Sequence, residues 1–327
     1  MAPSYSGIWN ISTQYQYADE WPQAPSFGLL AGGQNEANSY AVLNSIQRVS
    51  FITGGGTDAG DLTVARNSAG GFGSTTRAVF TGGRDGNTAY NTTDFVAYSS
   101  TGNATDFGDN VAAGHVSVTH SNNSRGLVTS MANGVGNAAG AEANIVYYTI
   151  ASAGNSTDFG DHSVNRVFGA GGGSKTRFVH FGGITSNTIR NTIDYSTIAS
   201  TGNATDFGDL SSALYSLYGN MNSATRCIML GGYNGSARLN QLEFVVTAST
   251  GNGTDFGDMT STGSAAQGGL SNGIIGIITG NTAGANEKII LDTSGNAVDF
   301  GDLLVEDGGN YYASAANASP STPNVQP

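Results

Sequence analysis

The decapeptide STGNATDFGD stands at residues 100–109 and again at 200–209, with the variants SAGNSTDFGD at 152–161, STGNGTDFGD at 249–258 and TSGNAVDFGD at 293–302. A worn copy, TGGGTDAGD, ends at Asp61. The closing Asp residues fall at 61, 109, 161, 209, 258 and 302, so successive copies lie 48, 52, 48, 49 and 44 residues apart. The Gly-Asn pair suits the positive φ angles of a two-residue hairpin turn, and the flanking Ser-Thr and Asp-Phe-Gly-Asp read as the ends of two strands. Six hairpins at a period near fifty, with strand signals only, predict a β-propeller.

A second element recurs between the hairpins. It is a short apolar run closed by paired glycines: FGLLAGG (27–33), RAVFTGG (77–83), RFVHFGG (177–183) and RCIMLGG (226–232), with drifted forms at 124–134 and 273–280. A continuous apolar run bounded by Gly fits a strand covered on both faces. A variable polar loop follows, and then a third strand in which Asp94, Asp194, Glu243 and Glu287 each precede the turn glycine by eight residues; Ile46 and Val146 break that pattern. A small-residue strand after each Asp-Phe-Gly-Asp brings the unit to four strands, the content of one blade.

The first unit has no small-residue strand before it, and the last hairpin is followed by a strand-like piece at 303–317. The expected fold is therefore all-β, a six-bladed propeller over 26–318 whose C-terminal strand completes blade 1 and removes the open sheet edges. Residues 311–316 are the segment expected to pair with the 27–33 strand. Residues 319–327 read as a flexible tail. Residues 1–25 do not match the repeat and carry Trp9, Tyr15, Tyr17 and Trp21. Two readings stand for this aromatic arm, an attachment element rich in large contact surfaces or a segment folded back on the propeller.

Composition narrows the partners. The net charge is −12, but the six hairpins alone carry twelve of the 24 Asp plus Glu, and the 12 Lys plus Arg form no cluster. Nucleic acid is not an expected partner. No run of about 18 apolar residues occurs, so no membrane insertion is expected, and the N-terminus lacks the basic start and apolar core of a Sec signal peptide. The single Cys227 lies in an apolar run and reads as a buried thiol.

Six Asp-Phe-Gly copies without a phosphate loop are not a kinase element. The paired Asp residues could ligate Ca²⁺, but two carboxylates on a tight turn fit better as acceptors for backbone N–H groups, with partners among the Arg residues of the adjacent strand. His115, His120, His162 and His180 share no blade position, which argues against a copper oxidase site. The Asn-x-Ser/Thr sites at Asn103, Asn155, Asn203 and Asn252 are read as turn chemistry. The chain is accordingly expected not to be an enzyme and to hold no cofactor or metal. The loops after Gly-Gly vary freely while the strands repeat, so Tyr90, Arg190, Tyr233 and Arg238 on those loops are the candidate binding residues.

The basic residue, apolar strand and Gly-Gly, followed by a variable loop and two spaced aromatics, resemble a kelch-type repeat, the blade unit of galactose-oxidase-like central domains. Phe107, Phe159, Phe207, Phe256 and Phe300 stand where kelch blades commonly carry Trp. The TGNATDFGD unit and the opening SYSGIWNISTQYQYADEWPQ are also similar to kelch-like proteins of tailed, especially marine, bacteriophages. That resemblance implies a non-enzymatic structural or adhesion protein of the virion, such as a tail or fibre component, held to other virion proteins by its arm and offering loops to a host-surface glycan or receptor. The alternative from a different class is a secreted carbohydrate-binding or sugar-active propeller.

Overall fold

Each repeat unit folds into one four-stranded antiparallel sheet, and six such sheets form a β-propeller. The computed structural model describes residues 26–35, 41–86, 88–132, 144–215, 218–262, 268–279, 285–304, 311–312 and 317–318. Trp9, Tyr15, Tyr17 and Trp21 lie outside the described residues. Blade 2 is representative: from the hub outward its strands are Gly70–Gly73, Arg77–Thr81, Thr92–Ala97 and Thr105–Asp109. The second strands show why a continuous apolar run was needed. In Arg177–Phe181 only the first residue is partly exposed and the other four are buried, because neighbouring blades cover both faces.

The core is divided by the junctions between blades. Among the described residues the buried apolar side chains fall into six clusters, one per junction, including one between blades 6 and 1 built on Leu30, Val49, Leu270, Ile277 and Leu303. The innermost strands crowd at the hub and are correspondingly small, GGFG in blade 2 and AGGG in blade 4. A side chain on Gly70 would run into Val116 and Thr119 of blade 3. Hub strands are also stitched across blades: Thr119 Oγ1 donates to Gly71 O at 2.6 Å, and Asn222 Oδ1 accepts from Gly173 N at 2.6 Å.

The ring is closed by the C-terminal part of the chain. Asn317–Ala318 pairs antiparallel with Leu30 and Leu29 and serves as the inner strand of blade 1. The pairing expected of residues 311–316 therefore falls a little later. Tyr311–Tyr312 instead joins Gln34–Asn35 and Ala41–Val42 in a small sheet on the blade 1 loop, and 313–316 lie outside the described residues. The chain first extends this rim sheet and then enters the hub.

The repeated motif is not the hairpin turn that local turn chemistry predicts. In blade 4 the turn is at residues 198–200, and the Gly202-Asn203 pair follows in an irregular stretch before the outer strand Thr205–Asp209. Asn203 does not adopt positive φ. That stretch clasps blade 3: Gly202 N donates to Phe159 O (2.8 Å), Ala204 N to Asp161 O (2.7 Å), and Asn203 Oδ1 accepts from Asp161 N (3.1 Å). Asn103, Asn155, Asn252 and Asn296 make the same contact with Asp61, Asp109, Asp209 and Asp258. The Gly of Asp-Phe-Gly-Asp is required by this approach, since a Cβ on Gly108 (φ +139°) would sit 2.6 Å from the backbone of Gly154 in the next blade. Each outer strand also bulges at this motif: in blade 4 Gly208 pairs with Ile193 and Asp206 with Asp194, and Phe207 between them is buried at the junction with blade 5.

The turn bond expected of the acidic side chains is made in the worn first copy, where Asp58 Oδ1 accepts from Gly60 N at 3.1 Å, but not by Asp206 or Asp209 in blade 4. Asp206 and Asp209 are exposed, and Asp209 meets blade 5 through its backbone, its N–H donating to Asn252 Oδ1 and its C=O accepting from Gly253 N. The Arg residues they were expected to meet stack on aromatic rings of their own blade: Arg77 over Phe95, Arg125 over Tyr147, Arg177 over Tyr195 and Arg226 over Phe244, at 4.2–5.0 Å. Two of them also cross to the next blade, Arg125 to Ile198 O and Arg177 to Thr247 O, both at 2.9 Å.

Candidate functional site

The loops after Gly-Gly and the connections between blades share one face of the ring. Glycine pairs end the second strands here and release the chain into short hairpins, Arg84–Asp85 with Thr88–Ala89 in blade 2 and Ile184–Thr185 with Thr188–Ile189 in blade 4. All four candidate binding residues lie on this face and all are half-buried. Tyr90 and Arg190 are matched positions, each closing its hairpin by donating its N–H to the last glycine of the pair, Gly83 or Gly183. Tyr233 and Arg238 are cross-strand partners in blade 5, and Tyr233 also packs edge-on against Tyr215 with ring centroids 5.5 Å apart. The hairpins of blades 4 and 5 approach each other at Ile189 and Gly235. Arg190, Tyr233 and Arg238 thus share one sector of the rim, whereas Tyr90 stands apart on blade 2.

Beneath this face a carboxylate latch joins successive blades. Two residues after four of the six closing Asp residues, a Ser or Thr presents its N–H and hydroxyl to an acidic residue of the next blade. Thr63 binds Asp94, Ser163 binds Asp194, Ser211 binds Glu243 and Thr260 binds Glu287. These are the four acids found eight residues before the turn glycine. Gln47, rather than Ile46, occupies the position in blade 1. It pairs with the backbone N–H and C=O of Leu304, locking blade 6 to blade 1. At the blade 2/3 junction, where Val146 stands, Ser156 Oγ takes the Val111 N–H instead, at 2.9 Å.

Two latches are also ion pairs. Arg66 meets Asp94 at 2.8 Å with both side chains fully buried, and Arg166 meets Asp194 with both nearly so. Burial by itself would raise the Asp194 carboxyl, but Arg166, the adjoining His162 and His180 hold it well below the usual carboxylate range. Tyr90 and Arg190 lie above these pairs, close enough to contribute to the electrostatics of Arg66 and Arg166 respectively.

The blade 3/4 latch carries two histidines that the others lack. His162 follows the closing Asp, where Leu62, Leu210 and Met259 stand at other junctions. His180 is paired across strands with Asp194, as Phe80 is with Asp94. The two rings are 4.4 Å apart, edge to face, and His162 Nδ1 lies 3.6 Å from Asp194 Oδ1. Neither ring nitrogen of His180 has a hydrogen-bond partner, nor does His162 Nδ1. Burial lowers both imidazoles below their ordinary pKa, with Arg166 adding to the effect, so both are neutral at pH 7. Among the described residues His162, His180 and Asp194 form the one cluster with metal-ligand atoms within reach of a common point, all within 4.8 Å of one another.

Sequence reasoning set these histidines aside because they share no blade position with one another. The signal that identifies them is a comparison between blades: RFVHF against RAVFT places His180 on Phe80, and DFGDH against AGDL places His162 on Leu62. Cys227 is fully buried in the blade 4/5 core, where burial raises its thiol pKa. No protein-family model and no curated protein matches the chain.

Proposed function

We propose that the chain is a non-enzymatic structural or adhesion component of a tailed-phage particle, a kelch-like propeller that joins other virion proteins through residues 1–25 and presents its Gly-Gly loop face to a host-surface glycan or receptor. The observation that carries this reading is the contrast between scaffold and rim. The clasp, the ring-stacked Arg and the carboxylate latch recur from blade to blade, while the hairpins above them change residue by residue: RDGNTAYN, ITSNTIRN and YNGSARLN. A rigid scaffold with freely varying loops is how recognition surfaces are built. The similarity of the TGNATDFGD unit and of the opening segment to phage proteins supplies the virion setting.

The secreted carbohydrate-binding reading is favoured by one feature, the Tyr215/Tyr233 pair beside Arg238, which sets an aromatic edge next to a forked hydrogen-bond donor. Two variants separate the readings. Deletion of residues 1–25 is expected to abolish incorporation into particles, and Y233S/R238S to leave incorporation intact and reduce adsorption to host cells. Loss of incorporation from the loop variant would move the attachment surface from residues 1–25 to the loop face, and a free secreted protein that turns over a sugar would sink the virion reading.

A further inference from the structure

We propose that His162, His180 and Asp194 form a binding site for a divalent transition-metal ion of the Zn²⁺ class, which pins blade 3 to blade 4. Two imidazoles and a carboxylate are the ligand set such ions take, leaving one position of a tetrahedron for water. The case rests on the contrast with the blade 1/2 junction. There Arg66, Asp94 and Thr63 make the same latch with Leu62 and Phe80 beside it, so the latch forms without histidine, although Arg66 Nε and Nη1 have no hydrogen-bond partner. At the blade 3/4 junction both apolar positions are histidine at once, and the rings face each other 4.4 Å apart.

Buried imidazoles are normally hydrogen-bonded, because an unpaired buried polar group costs free energy. His180 is 1% exposed and His162 is 7% exposed, yet neither ring nitrogen of His180 has a hydrogen-bond partner and His162 Nδ1 comes no closer than 3.6 Å to Asp194 Oδ1. An ion between His162, His180 and Asp194 satisfies His180 and draws on groups already within 4.8 Å of one another. Asp194 has the capacity for it. Ser163 takes Oδ2, while Oδ1 faces both Arg166 and His162. Arg166 also donates through Nη1 to Thr192 O at 3.1 Å, so the guanidinium stays placed when Oδ1 is shared. Asp161 adds a further negative charge close to His162. His162 is next in sequence to Ser163, which is exposed on the loop face, so the site lies one side chain below solvent.

The test uses the full chain stripped with chelator and titrated with Zn²⁺, and in parallel with Co²⁺ as a spectroscopic probe. One equivalent of Zn²⁺ is expected to raise the Tm of the wild type by several degrees, and Co²⁺ to give the intense visible bands of a tetrahedral His-ligated ion. H162L and H180F install the residues of the blade 1/2 junction; each is expected to fold without metal, to lose the Co²⁺ bands and to lose the Zn²⁺-dependent shift. A wild type that shows neither bands nor shift overturns the proposal. So does an H162L/H180F protein that keeps both, because the ion then binds elsewhere. Should a variant fail to fold, the wild-type Co²⁺ titration alone decides: no tetrahedral bands means no site.

Discussion

The blade 1/2 and blade 3/4 junctions use the same three groups to join their blades and differ in what surrounds them. In both, a hydroxyl residue and an arginine from one connection hold a buried aspartate of the next blade. At the first junction the neighbours are Leu62 and Phe80, and the ion pair sits in a hydrocarbon shell. At the second they are His162 and His180, polar side chains with neither His180 nitrogen hydrogen-bonded and His162 Nδ1 3.6 Å from Asp194 Oδ1. The difference shows that the Arg-Asp pair is architecture: it recurs where no histidine is present. The imidazoles are an addition that the architecture does not require, which makes them the place to look for chemistry.

The largest effects should come from breaking the shared part. D94A or D194A leaves a buried guanidinium without its carboxylate, and each is expected to cost about 3–5 kcal/mol in urea unfolding. Equal losses mark the latch as common architecture. A much smaller loss for D194A would mean that the histidines have taken over part of its role. A double exchange of the surroundings comes next. L62H/F80H places two imidazoles in an apolar shell and is expected to destabilise by about 2–4 kcal/mol, whereas H162L/H180F should stabilise the metal-free protein by about 1–3 kcal/mol. Stabilisation by the first exchange would show that histidines suit this geometry without a ligand.

Mild acid should act on the blade 3/4 junction alone of these two, because no histidine lies near Asp94. His120 reaches across to Ser174 O in blade 4 (2.8 Å), and burial lowers its pKa from 6.5 to about 4. The unfolded chain then binds a proton between pH 6.5 and 4 that the folded chain does not, so stability falls as pH is lowered through that window, by about 3 kcal/mol. H120Q should make that part of the stability-pH profile shallower by one group's share, leaving the slope due to His115, His162 and His180, and an unchanged slope would remove His120 as a contributor.

The smallest effects separate the two acceptors of the repeated motif. N203A loses one exposed hydrogen bond between blades and is expected to cost about 1 kcal/mol. D206A/D209A removes two exposed carboxylates and keeps the Asp209 backbone N–H and C=O that meet blade 5, and should stay within about 0.5 kcal/mol. A larger loss from the aspartate pair than from Asn203 in chemical denaturation would return the motif to a side-chain role.

The architecture was legible in the sequence for a physical reason. A propeller repeats one sheet, so each strand must recur at the same spacing with the same burial, and 27–33, 77–83, 177–183 and 226–232 display that recurrence directly. The motif's job was not legible. Gly-Asn is a good local turn signal, and the contact that selects Asn203 lies 42 residues away in the preceding blade. Counting back from the turn glycine found Asp94, Asp194, Glu243 and Glu287 but missed Gln47, because the first unit's turn is one residue shorter. Tyr90, Arg190, Tyr233 and Arg238 could be chosen as variable-loop residues, yet nothing in one dimension shows that blades 4 and 5 bring three of them together.

The sequence by itself determined the all-β class, six blades, the four-strand content of each and a closure that uses the C-terminal chain, since these follow from periodicity and strand counting. The tertiary structure decided which groups meet across the junctions. Asp94 finds Arg66, Gln47 finds Leu304, and His162 comes to lie against His180. Such pairings depend on the rotation of one sheet against the next, which brings together residues 18 to 257 positions apart and leaves no local pattern in the chain.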